Sequence, residues 1–355
     1  MKTKSLALLT ATTFFATLGL TVQTPAQTIQ DQITTFDPPG SYGTIPTSIN
    51  PSGEIAGYYF GPTGPTAHGF VRDKDGTITS FDAPGAGPDG TIVASINPSG
   101  EITGYFFDAN YAVNHTTHGF VRDRDGTIVS FDAPNAGTDG TVSSSINPAG
   151  TITGYYVDAS FLLHGFVRDK HGAITSFDAG PRLTVPTSIN PSGTITGSYA
   201  DASFVSHGFV RDRDGTITSF DADPKNLHGI SPTSINPIGE ITGSFFAVGG
   251  LHGLLSHGFV RAADGTITIF DADPPVTGTY SQSINPSGEI TGYFFTADLR
   301  QHGFVGAADG TITTFDVGSI STGTNPISIN PAGTITGTAG GHGFVLKHSH
   351  SAGPG

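Results

Sequence analysis

Short runs of Ile, Val, Thr, Phe and Tyr recur along the chain, each closed off by Gly, Pro, Asn or Asp, and this pattern predicts β-strands joined by tight turns. One stretch holds the whole pattern: SINPSGEIAGYYF, a short loop, then HGFVRDKDGTITSFD, from Ser48 to Asp82. It reads as four strands, A around Thr44 to Asn50, B from Glu54 to Phe60, C from His68 to Asp73 and D from Thr77 to Asp82. The A to B link is Asn-Pro-x-Gly in every copy, where Asn suits the first turn position, Pro presets φ and Gly takes the left-handed position. Asp73-Lys74-Asp75-Gly76 does the same between C and D.

The unit repeats. Ser-Ile-Asn ends at Asn50, Asn97, Asn147, Asn190, Asn236, Asn285 and Asn330, at spacings of 43 to 50 residues, and each is followed by its own His-Gly-Phe. Strand D closes with Phe-Asp at Asp82, Asp132, Asp178, Asp221, Asp271 and Asp316, but the last copy stops at Lys347 without one. Gln32 to Asp37, at the opposite end, carries the missing strand. The expected fold is therefore all-β, a seven-bladed β-propeller of four antiparallel strands per blade, closed by the N-terminal strand completing the last blade. A β-solenoid is the alternative, but its rungs are shorter and it predicts no strand recovered from the other terminus, whereas a ring also removes exposed sheet edges.

The run Ile-Asn-x-x-Gly-x-Ile-x-Gly followed by His-small-Phe resembles the bacterial extracellular repeat family named for its His-Ala-Phe (HAF) motif, over essentially all of residues 28 to 347. Every copy here has Gly in place of Ala and there is no Trp after the Phe, so the chain is similar to a divergent branch. The resemblance implies an exported β-rich repeat protein and carries over no catalytic residue. The likeness to WD-type propellers is looser, since the chain has no Trp at all.

Composition narrows the partners. Lys2 and Lys4, the apolar Ser5 to Leu20 and the small residues before a cleavage point at Ala26 predict a secretory signal over residues 1 to 26 rather than a membrane anchor. The mature chain then carries 13 basic against 29 acidic residues, a net charge of −16, which argues against nucleic acid and anionic membrane as partners. With no Cys there is no disulfide or thiolate metal site, so stability rests on packing and ring closure. The expected species is a secreted, extracellular or periplasmic monomer, with residues 27 to 347 as the propeller, 28 to 37 as its closing strand and 348 to 355 as a disordered tail.

The candidate chemistry is mostly repeated. Each motif histidine opens strand C beside the Asp that ends strand D, giving His68 with Asp82, His118 with Asp132, His164 with Asp178, His207 with Asp221, His257 with Asp271 and His302 with Asp316. Ring closure adds His342 with Asp37. Ser48, one or two strands inward, completes what looks like a triad. An active site occurs once, however, and a constellation present in every blade reads as a structural hydrogen-bond network, so no catalytic residue is assigned. The Asp-x-Asp-Gly turns at Asp73, Asp123 and Asp212 resemble the start of a calcium loop but lack its later acids, so calcium stays the one cofactor in view and plain turn chemistry the better reading. Asn114-His115-Thr116 matches a glycosylation acceptor.

Function must come from what differs between copies, and the B to C and D to A loops vary most. Three blades place Asp-Ala-polar-aromatic in the B to C loop, Asp108 with Tyr111, Asp158 with Phe161 and Asp201 with Phe204, while the fifth has an apolar insertion, Val248 to Leu255, that includes His252. An aromatic beside an acid and an amide or hydroxyl is a workable sugar-binding element. The competing expectation, favoured by the gain from burial, is that the rings fold back and cap the strand ends. The functional expectation is a non-enzymatic propeller binding an extracellular glycan or another ligand at this rim. The alternatives are a protein-interaction scaffold without a small-ligand site, and a propeller lyase or glycosidase.

Overall fold

The computed structural model describes residues 27–28, 32–62, 64–110, 116–223, 228–248, 254–272, 278–318 and 323–347. The signal segment, the tail after Lys347, Tyr111, Asn114 and His252 lie outside the described residues. Among those described the chain is all-β, with no helix.

Each copy of the repeat builds an antiparallel A–B–C–D meander. In the first, strand A is Gly43–Ile49, B is Ile55–Phe60, C is Ala67–Arg72 and D is Ile78–Phe81. The turns form as the residue types require. Asn50 N–H donates to Glu54 O at 2.9 Å, Gly53 N–H to Asn50 O at 3.0 Å, and Gly53 has φ +86°. Between C and D the matching bonds run from Asp73 N–H to Thr77 O and from Gly76 N–H to Asp73 O. In the last copy, A (Thr324–Ile329), B (Thr334–Ala339) and C (His342–Lys347) are joined by Gln32–Phe36, which pairs antiparallel with C from Gln32 opposite Lys347 to Phe36 opposite Gly343.

The core lies between units, not within them, because each four-stranded sheet buries both faces against its neighbours. In every copy the fully buried Phe of His-Gly-Phe meets the strand D Phe of the preceding unit edge-on, as in Phe81 against Phe120 at 6.3 Å and Phe131 against Phe166 at 6.0 Å. Phe36 meets Phe70 of the first unit in the same way at 6.0 Å. Phe36 itself is only half-buried. The Gly of the motif has a steric cause: a Cβ on Gly69 stands 2.8 Å from the Phe81 ring, and the other copies repeat that contact. This is why the small residue here is Gly and not Ala.

Strand A carries a β-bulge in each unit, between Pro46 and Ser48 in the first. Its inner end holds the buried asparagines. Each Nδ2 donates to the backbone carbonyl of the next Asn, from Asn50 to Asn97, Asn147, Asn190, Asn236, Asn285 and Asn330, at 3.1 to 3.3 Å. Asn330 donates in turn to the carbonyl of Asn50 at 3.2 Å. Sequence separation is 280 residues at that last step and 43 to 50 at the others.

Candidate ligand-binding rim

Antiparallel pairing sets the A–B and C–D turns on one face and the B–C loops on the other. On the B–C face of the third unit, Asp158 N–H donates to Leu162 O and Phe161 N–H to Asp158 O, at 2.9 and 3.0 Å. This is the turn used throughout the opposite face, with one exchange. The position that Gly occupies there is held here by Phe161 at φ +61°, and by Phe204 at φ +64° in the fourth unit. Both rings stand in solvent, 68% and 64% exposed, so the expectation that they fold back onto the strand ends does not hold for these two. A left-handed residue directs its side chain away from the sheet, and that geometry overrides the gain from burial. Arg182 places its guanidinium 4.7 Å from the Phe204 ring centroid.

The acids beside the rings serve the turns. Asp158 Oδ1 accepts the Ser160 and Leu162 N–H groups at 2.8 and 2.9 Å, and Asp201 Oδ1 accepts those of Ser203 and Val205 at 2.7 and 2.9 Å. The Leu162 amide foremost holds the Asp158 carboxyl below its ordinary pKa, and the Val205 amide does so for Asp201. The second oxygens face the motif histidines, at 3.3 Å from His164 Nε2 and 3.7 Å from His207 Nε2. Asp108 is half-buried and accepts the Asn110 N–H at 2.8 Å.

Behind the rim stand the His–Asp pairs. Nδ1 lies 2.9 Å from the carboxylate in His68–Asp82, 2.8 Å in His118–Asp132 and 2.8 Å in His164–Asp178. The distances are 3.0 Å in His207–Asp221, 2.8 Å in His257–Asp271, 2.9 Å in His302–Asp316 and 2.6 Å in His342–Asp37. An aromatic from strand B packs against the imidazole in all but the last, stacked as Tyr156 is on His164 at 5.1 Å or tilted as Tyr59 is on His68 at 5.3 Å. Burial works against the charge of His164, but the Asp178 and Asp158 carboxylates outweigh it and raise its pKa. Hydrogen bonding to Asp271 raises that of His257 against the opposing effect of burial.

The serine of the apparent triad is elsewhere. Ser48 pairs with Ala56, which pairs with Val71, three residues along strand C from His68 and so about 10 Å away at about 3.3 Å per residue. Ser48 closes strand A at the A–B face, whereas the histidine opens strand C at the other. Its counterparts bridge units instead: Ser328 Oγ accepts the Ile49 N–H at 3.3 Å. Among the described residues no three His, Asp or Glu side chains gather as a metal cage. In the Asp-x-Asp-Gly turns the second acid accepts a backbone amide, Asp75 from Thr77 at 2.9 Å.

Sequence reasoning passed over one rim residue. Leu299, in Thr296-Ala297-Asp298-Leu299, takes the same turn at φ +62° and is 74% exposed. The shared length and Ala were the available signal; Thr for Asp and Leu for an aromatic concealed it.

No family model and no curated protein matches this chain. Solved structures do. A streptogramin B lyase aligns over 89% of this chain and 97% of its own, with a TM-score of 0.56 and 15% identity. TolB from Acinetobacter baumannii aligns over 83% and 80%, with a TM-score of 0.47 and 12% identity. A fungal lectin from Aleuria aurantia, a six-bladed β-propeller with a fucose recognition mode, aligns over 79% and 98%, with a TM-score of 0.44 and 12% identity. The likeness to the lyase bears on fold alone, and with the repeated four-stranded sheets it makes this chain an all-β repeat protein of the propeller type.

Proposed function

We propose that the chain is an exported seven-bladed β-propeller, closed by Gln32–Phe36, that binds an extracellular glycan through its B–C rim without catalysis. Closure is supported by the Asn330 to Asn50 hydrogen bond, the pairing of Gln32–Phe36 with the last strand and the Phe36–Phe70 contact. The HAF-type resemblance and the run of residues 1 to 26 support export.

The observation that carries the binding function is the exchange of Gly for Phe at a left-handed turn position. A bulky residue at positive φ costs about 1–3 kcal/mol, and Phe161 and Phe204, both mostly exposed, return only part of it through burial. Strain kept at an exposed aromatic is the mark of a ring retained for what it meets outside the molecule. A flat ring offers an apolar face to a pyranose, and the neighbouring Ser160 and Ser203 side chains offer hydroxyls.

The test is a glycan and polysaccharide panel probed with residues 27–355 and with the Phe161→Ala/Phe204→Ala variant, with and without calcium. Selective binding lost in the variant upholds the rim. Binding unchanged in the variant, or none at all, refutes it. A protein partner is the second reading, favoured by the apolar exposure of Val248 and Leu299 on the same face.

A further inference from the structure

The opposite face, formed by the A–B and C–D turns, departs from the repeat in its last two units. In the first five units an arginine at the end of strand C lies over the strand D Phe of the preceding unit. The distances to the ring centroid are 5.0 Å for Arg72 on Phe36, 4.8 Å for Arg122 on Phe81 and 4.7 Å for Arg168 on Phe131. They are 4.8 Å for Arg211 on Phe177 and 5.0 Å for Arg261 on Phe220. Each guanidinium donates Nη1 to the carbonyl of the following residue at 3.3 Å. In the last unit the corresponding slot is filled by the fully buried Leu346. In the sixth it is Gly306, and among the described residues no other cation lies over Phe270.

A cleft of about 270 Å³ lies here between the fifth and sixth units, lined by Glu240, Val260, Phe270, Ile290, Ala308 and Ile312 among others. Clefts of about 260 and 330 Å³ lie between the first and second and the fourth and fifth units, but there Arg122 and Arg261 line the wall. A second basic residue is missing from the same place. Where Arg124 Nη2 of the second unit meets Glu54 Oε1 of the first at 3.1 Å, the sixth unit has Ala308 facing Glu240 of the fifth. Cβ of Ala308 and Oε2 of Glu240 both lie 3.4 Å from the position a Cβ on Gly288 takes, so acid and alanine share one point of the wall. Asp309, the counterpart of the aspartates whose charge acts on Arg72, Arg122, Arg211 and Arg261, also remains. The slot thus has an aromatic floor, apolar walls, a carbonyl and one acid in its lining, Glu240, whose Oε2 also accepts the Asn236 Nδ2 at 2.7 Å, and it holds neither base.

We propose that this slot is a binding site for a guanidinium on an aliphatic stem, supplied by free arginine or by an arginine side chain of a partner polypeptide. The five intramolecular arginines show what the slot accommodates: the flat cation over the Phe ring and an N–H on the carbonyl of the next residue, here Ala307, while Val260, Ile290 and Ile312 offer an apolar lining to the stem. Ile290 leans over Gly306, with its Cγ1 2.8 Å from the position of a Cβ there, and forms the wall of the slot on that side. Nothing in this site depends on the rim on the opposite face.

The experiment is a titration of residues 27–355 with N-acetyl-arginine amide, followed by amide chemical shifts, with the citrulline analogue as the neutral isostere. Saturable shifts confined to Phe270, Gly288 and residues 306–310 are expected, with citrulline at least about tenfold weaker. Gly306→Arg, which fills the slot from within, and the surface change Ala308→Arg, which covers Glu240 without touching the core, should each abolish them. Equal binding of citrulline, no saturable shift, or binding unchanged in Ala308→Arg overturns the proposal. A peptide with one internal arginine separates the two sources: affinity well above that of the amide indicates a polypeptide partner, and equal affinity a small molecule.

Discussion

Replacing Asn147 with Ala removes one link from the chain of hydrogen-bonded asparagines, and the structure gives the size of the effect. The side chain is 3% exposed. Its Oδ1 accepts the Ala149 and Thr151 N–H groups, both at 3.0 Å, and its Nδ2 donates to the Asn190 carbonyl at 3.2 Å. The Asn190 carbonyl keeps the Gly193 N–H at 3.0 Å, and the exposed Ala149 amide reaches water, so neither group is left wholly unpaired. Three net hydrogen bonds at about 1 kcal/mol each give a loss of about 3 kcal/mol, a large fraction of a typical domain's stability. Asp169 in the same unit is the control. It accepts the His171 and Ala173 amides, both at 2.9 Å, in the same kind of turn, but it is exposed and bonds to no other unit. Urea unfolding of the two alanine variants, at unchanged m, isolates the contribution between units. Asn147→Ala must be the clearly more destabilising; equal losses would refute the view that the asparagines tie the units together.

Further changes probe other parts of the account. Phe161→Gly should raise stability by about 0.5–1 kcal/mol by relieving a positive φ, while weakening any rim-bound ligand; a loss of stability means that the ring packs on the protein after all. Arg168→Met should change stability by less than about 1 kcal/mol, because losing the cation–π contact is offset by removing an Nε buried without an acceptor, and a loss of several kcal/mol contradicts this. The raised pKa values of His164 and His257 mean that their pairs stabilise fully below the unfolded value near 6.5 and lose that contribution as pH rises through the folded values. The depressed Asp158 and Asp201 carboxyls act in the opposite sense, stabilising above about 3.8 and fading on acidification. Melting temperature should therefore peak between these limits, and His164→Ala should flatten the alkaline side; an unchanged alkaline slope shows that the pair is not coupled to folding.

Strand type, strand order within a unit and both hairpin turns are legible in the sequence, because Asn-Pro-x-Gly and Asp-x-x-Gly fix the turn conformation locally. The pairing of Gln32–Phe36 with His342–Lys347 follows from counting strands, since one Phe-Asp was missing at one end and present at the other. What failed was three-dimensional. Counting strands across the sheet brings Ser48 near His68, but strand direction puts the two at opposite ends. The gain from burial alone folds the rim rings back, and the left-handed turn that turns Phe161 and Phe204 outward shows only in the backbone. Gly306 is visible in the sequence as His-Gly-Phe-Val-Gly, but it acquires meaning only when Phe270 of the neighbouring unit is found beneath it.

The central claim is that the N-terminal strand closes a ring of equivalent units, and hydrogen exchange at Ile33–Phe36 tests it most directly. Ile174–Phe177 is the matching strand D within the third unit, paired with its own strand C in the same register. Closure predicts equal protection at corresponding amides of the two strands, with both exchanging only through opening of the whole array. Exchange at residues 33–36 that runs orders of magnitude faster, while residues 174–177 stay protected, contradicts it.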